Sequence, residues 1–139
     1  MAGIKIDDVT DDEYDVIDRG LVDFNNSKVP FTQETTKHIN KCIKLNDEVI
    51  AGILADVYCW HILGIDAVWV KEEHRGKGYA RKLVECVEEE AIKMGCKIAH
   101  LDTFDFQAKG LYEKLGYVVF GTLKDCPEGH ERYYMSKQL

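Results

Sequence analysis

The chain has 139 residues, 45% of them hydrophobic and 31% charged, with a formal net charge of −7. That length suits a single domain over residues 1–139, which buries about two-thirds of its unfolded surface. The acidic balance argues against a nucleic-acid partner, whose phosphates need a basic footprint; the longest apolar run, Val49 to Ala55, falls well short of the ~20 residues of a membrane span.

The N-terminal residues carry no apolar signal region, so a soluble, cytoplasmic protein without a membrane partner is expected. Ile4 to Asp7 is a short strand candidate. Thr10 followed three residues later by Glu13 predicts a capping box, with Val9 placed to staple against Tyr14. Tyr14, Ile17, Leu21 and Phe24 then recur at helical spacing, while eight acids between Asp7 and Asp23 face one base, Arg19. Asn25 to Pro30 ends this helix, and Phe31 to Thr36 reads as a loop or a short second helix.

Ile39, Ile43 and Leu45 alternate as a strand, Asn46-Asp47-Glu48 turns, and Val49 to Tyr58 forms a second, mostly buried strand. A third strand spans His61 to Val70. Arg75-Gly76-Lys77-Gly78-Tyr79-Ala80 follows as a charged, glycine-containing loop. In the next helix Ala80, Leu83, Val84, Val87, Ala91 and Met94 form one apolar face, with Glu85, Glu88, Glu89 and Lys93 on the other side and Gly95 as the cap. Lys97 to Thr103 is another strand, so strand, helix and strand make a parallel, right-handed crossover. A short helix through Ala108, Leu111, Tyr112 and Leu115 stops at Gly116, and two final strands, Tyr117 to Leu123 and Arg132 to Met135, flank a loop. The five cysteines (Cys42, Cys59, Cys86, Cys96, Cys126) are odd in number and contain no C-x-x-C, which points to reduced thiols and to no metal site.

The loop after the third strand carries the chemistry. Five basic residues against two acids between Lys71 and Lys82 make a positive island in an acidic chain. Free N–H groups of a helix N-terminus add to it, so a phosphate-bearing ligand is expected there. The loop lacks the spacing of a nucleotide P-loop, and Arg81 stands where a dinucleotide fingerprint needs its third glycine.

Arg75, Gly78 and Ala80 match [QR]-x-x-G-x-[GA], and Ala108 to Tyr117 matches A-x-x-L-Y-E-K-L-G-[FY]. In this order the two blocks resemble the GNAT superfamily of N-acetyltransferases, over Val68 to Phe120 in detail and elsewhere by layout. The resemblance implies a mixed, mostly antiparallel sheet of six to seven strands with a central βαβ crossover and flanking helices. It implies acetyl-coenzyme A as co-substrate, its pyrophosphate on the amides of Arg75, Gly76, Lys77, Gly78, Tyr79 and Ala80, and its pantetheine arm along Val68, Trp69 and Val70. Where the family carries an asparagine that holds this arm, the chain has Asp105, and Gln107 is the nearby amide that could substitute.

Acetyl transfer to an amine requires removal of the amine proton, donors for an oxyanion and a proton for the departing thiolate. By resemblance Tyr112 is the proton donor to the thiolate, although it also lies on the apolar stripe of its helix. Asp66 is the base candidate, its parity placing it on one sheet face with Val68 and Val70; ordered water is the alternative. His61 on the same strand and His130 in the last loop are weaker candidates. The reading is transfer to a small, cationic amine, with a homodimer left open. Against it stand a coenzyme A-binding module without turnover and a thiol-dependent acyltransferase using Cys96 or Cys126.

Overall fold

The computed structural model describes residues 3–139, in two compact units divided after Thr32. In the first, Ile4 to Asp7 forms no strand. Helix α1 (Asp11–Lys28) opens on the expected capping box, with the Glu13 amide donating to Thr10 Oγ1 at 3.3 Å and the Thr10 amide to Glu13 Oε1 at 3.0 Å. Asp11, Asp12 and Glu13 occupy its positive dipole end. Its apolar residues, Tyr14, Ile17, Leu21 and Phe24, are all exposed.

The second unit, Gln33–Leu139, is a seven-stranded sheet with two helices. Its strands are β1 (Lys37–His38), β2 (Lys41–Leu45), β3 (Glu48–Tyr58), β4 (Ile62–Val70), β5 (Ile98–Phe104), β6 (Val118–Lys124) and β7 (Glu131–Gln138). Helix α2 (Tyr79–Lys93) joins β4 to β5, and α3 (Lys109–Lys114) follows β5. The order across the sheet is β1-β3-β4-β5-β7-β6, with β2 also paired to β3. All pairs are antiparallel except β4 with β5, the crossover pair. The segment 31–36 is a loop. Among the described residues no helix is long and apolar enough to cross a membrane.

The core lies between α2 and one sheet face. Leu83, Val84, Val87 and Ala91 pack with Ala51, Ile53, Ala55 and Val57 of β3, Leu63 and Ile65 of β4, and Ala99 and Leu101 of β5. Each buried Leu, Ile or Val adds roughly 1.5–3 kcal/mol. One member of the supposed wet face belongs inside. Glu88 is buried, accepting from the Tyr117 hydroxyl at 2.9 Å and from Lys137 Nζ at 3.0 Å. A carboxylate tolerates burial when donors replace its water, and here two do.

Two departures from regular pairing shape the sheet. The β4–β5 pairing runs only from Ile62↔Ile98 to Ile65↔Leu101. Beyond it β4 stays with β3 and β5 with β7, so the parallel strands part. Where they part, β3 advances one residue, Leu54 to Ala55, while β4 goes from Ala67 to Ile65. Asp66 is the extra residue of a β-bulge.

Candidate active site

The parted strands open a cleft of about 640 Å³. Asp66, Val68, Trp69 and Val70 line one wall, Asp102, Thr103 and Phe104 the other. The loop and first turn of α2 supply His74, Arg75, Gly76, Gly78, Tyr79, Ala80 and Arg81, and the β5–α3 segment adds Gln107, Ala108, Leu111 and Tyr112. Residues from two separate sequence blocks therefore meet around one space. From Asp66 onward the β5-facing edge of β4 has no strand beside it, leaving its backbone groups, apart from the Val70 carbonyl, available to an extended ligand.

The start of α2 is built differently from that of α1. Gly78, the N-cap, has φ +80°, no side chain caps the first turn, and no acid lies in it. A Cβ on Gly78 would meet nothing within 4 Å, so the space over the amides is open to a ligand. Uncapped N–H groups at a positive dipole end favour an anion. Arg75 turns its Nε back onto the Val70 carbonyl at 2.9 Å and so braces the loop. Part of the positive island is neutralised locally. Lys71 is ion-paired with Glu48, and Arg81 Nε lies 2.8 Å from Glu85 Oε1. Lys77, exposed, does not line the cleft.

Tyr112 is 7% exposed and belongs both to the core and to the cleft lining. The two sequence readings of this side chain are thus compatible. Burial raises its hydroxyl above the ordinary tyrosine range, so it is protonated at neutral pH. Its ring packs edge-on to Tyr117, with centroids 6.0 Å apart. Thr103 and the Phe104 amide both donate to Gln107 Oε1, at 3.2 and 2.8 Å, which orients that amide at the cleft. Asp105 lies elsewhere. Its carboxylate takes His130 Nδ1 at 2.8 Å and the Glu131 amide at 2.9 Å, tying the β5 end to the last hairpin. These donors hold Asp105 below the usual carboxylate range.

Asp66 lines the cleft, but not by the parity read from the sequence. The core-facing set is Leu63 and Ile65 before the bulge and Val68 and Val70 after it, so alternation resets at Asp66. Partial desolvation raises its carboxyl above the ordinary range, the charge of Asp56 adds, His100 opposes and Asp102 adds again. Its neighbours Asp56, Tyr58, His100 and Asp102 escaped sequence reasoning. The available signals were Asp56 as the one acid of β3 beyond its first residue and the polar alternation of His100 and Asp102 along β5. His61 is not on a strand; it has φ +55° in the β3–β4 turn, where its amide donates to Gln33 Oε1 at 3.0 Å. Cys96 is buried and its thiol raised by burial, a poor environment for a nucleophilic thiolate.

Comparison with known proteins bears on the family and the fold. The model of the "Acetyltransferase (GNAT) family" matches residues 8–117. Blasticidin-S acetyltransferase of Streptomyces morookaense is 32% identical over 93 residues, covering 66% of this chain and 68% of that protein. An acetyltransferase of Agrobacterium fabrum is 31% identical over 135 residues, 96% of this chain and 97% of its own. The crystal structure of an acetyltransferase from Bacillus cereus superposes with a TM-score of 0.89 at 30% identity, covering 98% of both chains. The seven-stranded sheet with its single parallel crossover, the family match over most of the chain and these relatives together establish that the chain belongs to the GNAT family of acetyltransferases.

Proposed function

We propose that the chain moves an acetyl group from acetyl-coenzyme A to the primary amine of a small cationic acceptor by direct transfer. The observation that carries this is the cleft, which brings an uncapped helix N-terminus, a carboxylate with raised proton affinity and a buried tyrosine hydroxyl around one space. The amides at Gly76 to Ala80 suit the pyrophosphate. The open edge of β4 from Val68 to Val70 suits an amide-bearing arm, with the Gln107 side chain opposite.

Asp66 accepts the proton of the acceptor ammonium, freeing the lone pair to attack the thioester carbonyl. As the tetrahedral adduct collapses, the C–S bond breaks and Tyr112 gives its proton to the sulfur, whose thiol pKa is about 8.5. A tyrosine raised by burial is the weaker acid in this exchange, but it holds its proton at neutral pH until the thiolate leaves. The second proton of the attacking nitrogen passes to the tyrosinate by way of solvent, and Asp66 releases the first to water, which restores both groups. The Asp66 carboxyl in the cleft lining, which has no basic side chain paired with it among the described residues, favours a cationic acceptor, and one relative is named for blasticidin-S. A cytoplasmic setting fits five free thiols.

The test is a panel of cationic, neutral and anionic amines with purified protein and acetyl-coenzyme A. Thiol release and the acetylated product by mass spectrometry are read together. Turnover concentrated among cations, and weakened by salt, is expected. Tight coenzyme binding without turnover on any amine would overturn the reading.

A further inference from the structure

The bulge at Asp66 sets this residue at the cleft end of a row of side chains that crosses three neighbouring strands. Asp56 of β3, whose register partner is Gly64, is the diagonal neighbour of Asp66 across the strand pair, and its charge acts on the Asp66 carboxyl. Asp56 in turn holds His38 of β1, its register partner, with Oδ1 2.5 Å from Nδ1. The His38 side chain is 68% exposed. The row therefore runs from the cleft to the open edge of the sheet.

The other groups around Asp66 are occupied with one another. Tyr58 of β3 places its hydroxyl 2.6 Å from His100 Nε2 of β5. Asp102 of β5 is paired with Arg132 of β7 at 2.8 Å, and the Arg132 guanidinium lies between the rings of Phe104 and Tyr134. Asp56 is the neighbouring acid that acts on Asp66, and His38 is the group paired with Asp56.

We propose that Asp56 and His38 are positioning residues for the base of the transfer reaction: Asp56 orients the Asp66 carboxyl from the neighbouring strand, and His38 holds Asp56 in place from the surface. This rests on the reading of Asp66 as the base. The negative charge of Asp56 makes Asp66 hold its proton more strongly. A protonated His38 cancels part of that charge and does the reverse.

Removing Asp56 and removing His38 must therefore move Asp66 in opposite directions. A residue that merely supported the fold would give no such opposition. Carbon-13 NMR titration of the aspartate carboxyls of the whole chain reads this with no acceptor present. Asp56→Asn, nearly isosteric, should lower the Asp66 midpoint. His38→Gln should raise it, by less because His38 is exposed. Amide spectra establish that both variants are folded. Once an amine is turned over, the acid limb of its kcat/KM profile should shift in the same two senses. An unmoved Asp66 midpoint, or shifts of equal sign in the two variants, would overturn the coupling. Transfer unaffected by Asp66→Asn would instead overturn the base reading, and with it the catalytic purpose of the pair, even with the titration shifts intact.

Discussion

Tyr112 and Tyr117 are neighbouring side chains of one type in different surroundings. Tyr112 has its ring in the core and lines the cleft, so Tyr112→Phe keeps the burial and removes the donor. We expect transfer to slow by roughly ten- to a thousandfold, the scale of a lost general acid. Coenzyme affinity should stay within a few-fold, and Tm should barely move. Steady-state rates, calorimetric binding and a melting curve on that single variant check all three. Tyr117 instead anchors Glu88, and burial together with the Glu88 carboxylate raises its hydroxyl. A tyrosine whose folded pKa exceeds its unfolded value, about 10, contributes stability that is complete below that pH and lost as pH climbs further. Tm should therefore fall on the alkaline side above about pH 10, and fall less steeply in Tyr117→Phe. Glu88→Ala strips Lys137 and Tyr117 of their shared acceptor and should cost about 2–3 kcal/mol by denaturant unfolding, less than a fully enclosed pair because Lys137 is partly exposed.

The α2 loop was the most legible element, because its signals are local. Gly78 and Gly95 have φ of +80° and +99°, values that a residue with a Cβ adopts at a cost of roughly 1–2 kcal/mol. Gly78→Glu should abolish coenzyme binding, since it puts bulk and negative charge over the amides, and Arg75→Ala should weaken binding less, through a looser loop. Isothermal calorimetry on folded variants separates the two, and unchanged affinity in the Gly78 variant would remove the phosphate role from this loop. The elements that sequence reasoning misplaced depend on distant partners or on backbone that has no residue signature. Glu88 reads as wet from periodicity, but its two donors lie 29 and 49 residues away. The β-bulge leaves nothing in the composition of β4 beyond a single acid in an apolar run. The β3–β4 turn uses Cys59 and His61 at positive φ, where Gly or Asn would have marked it. By contrast the β2–β3 turn at Asn46 and Asp47, both at positive φ, carries the expected residue types.

At the scale of the molecule, the catalytic unit uses none of its thiols as the reaction is drawn. All five cysteines are free, and Cys96 is buried in the core. A Cys96→Ala, Cys126→Ala variant should retain transfer, at some expense of stability from the small cavity at residue 96. Loss of activity in a folded double variant would point to a covalent thiol route.

The brevity of the β4–β5 pairing has a mechanical consequence. Four register pairs, Ile62 to Ile65 against Ile98 to Leu101, are the strand-to-strand seam between β1–β4 and β5–β7 of the sheet. A seam that short is easily frayed at its open end. A coenzyme lying between the parted strands would act as a strut across it, lending each half the rigidity of the other. Amide hydrogen exchange at Ala67 to Val70 and at Asp102 to Phe104 should then slow together when coenzyme A is added, while exchange in the β6–β7 hairpin stays as it was.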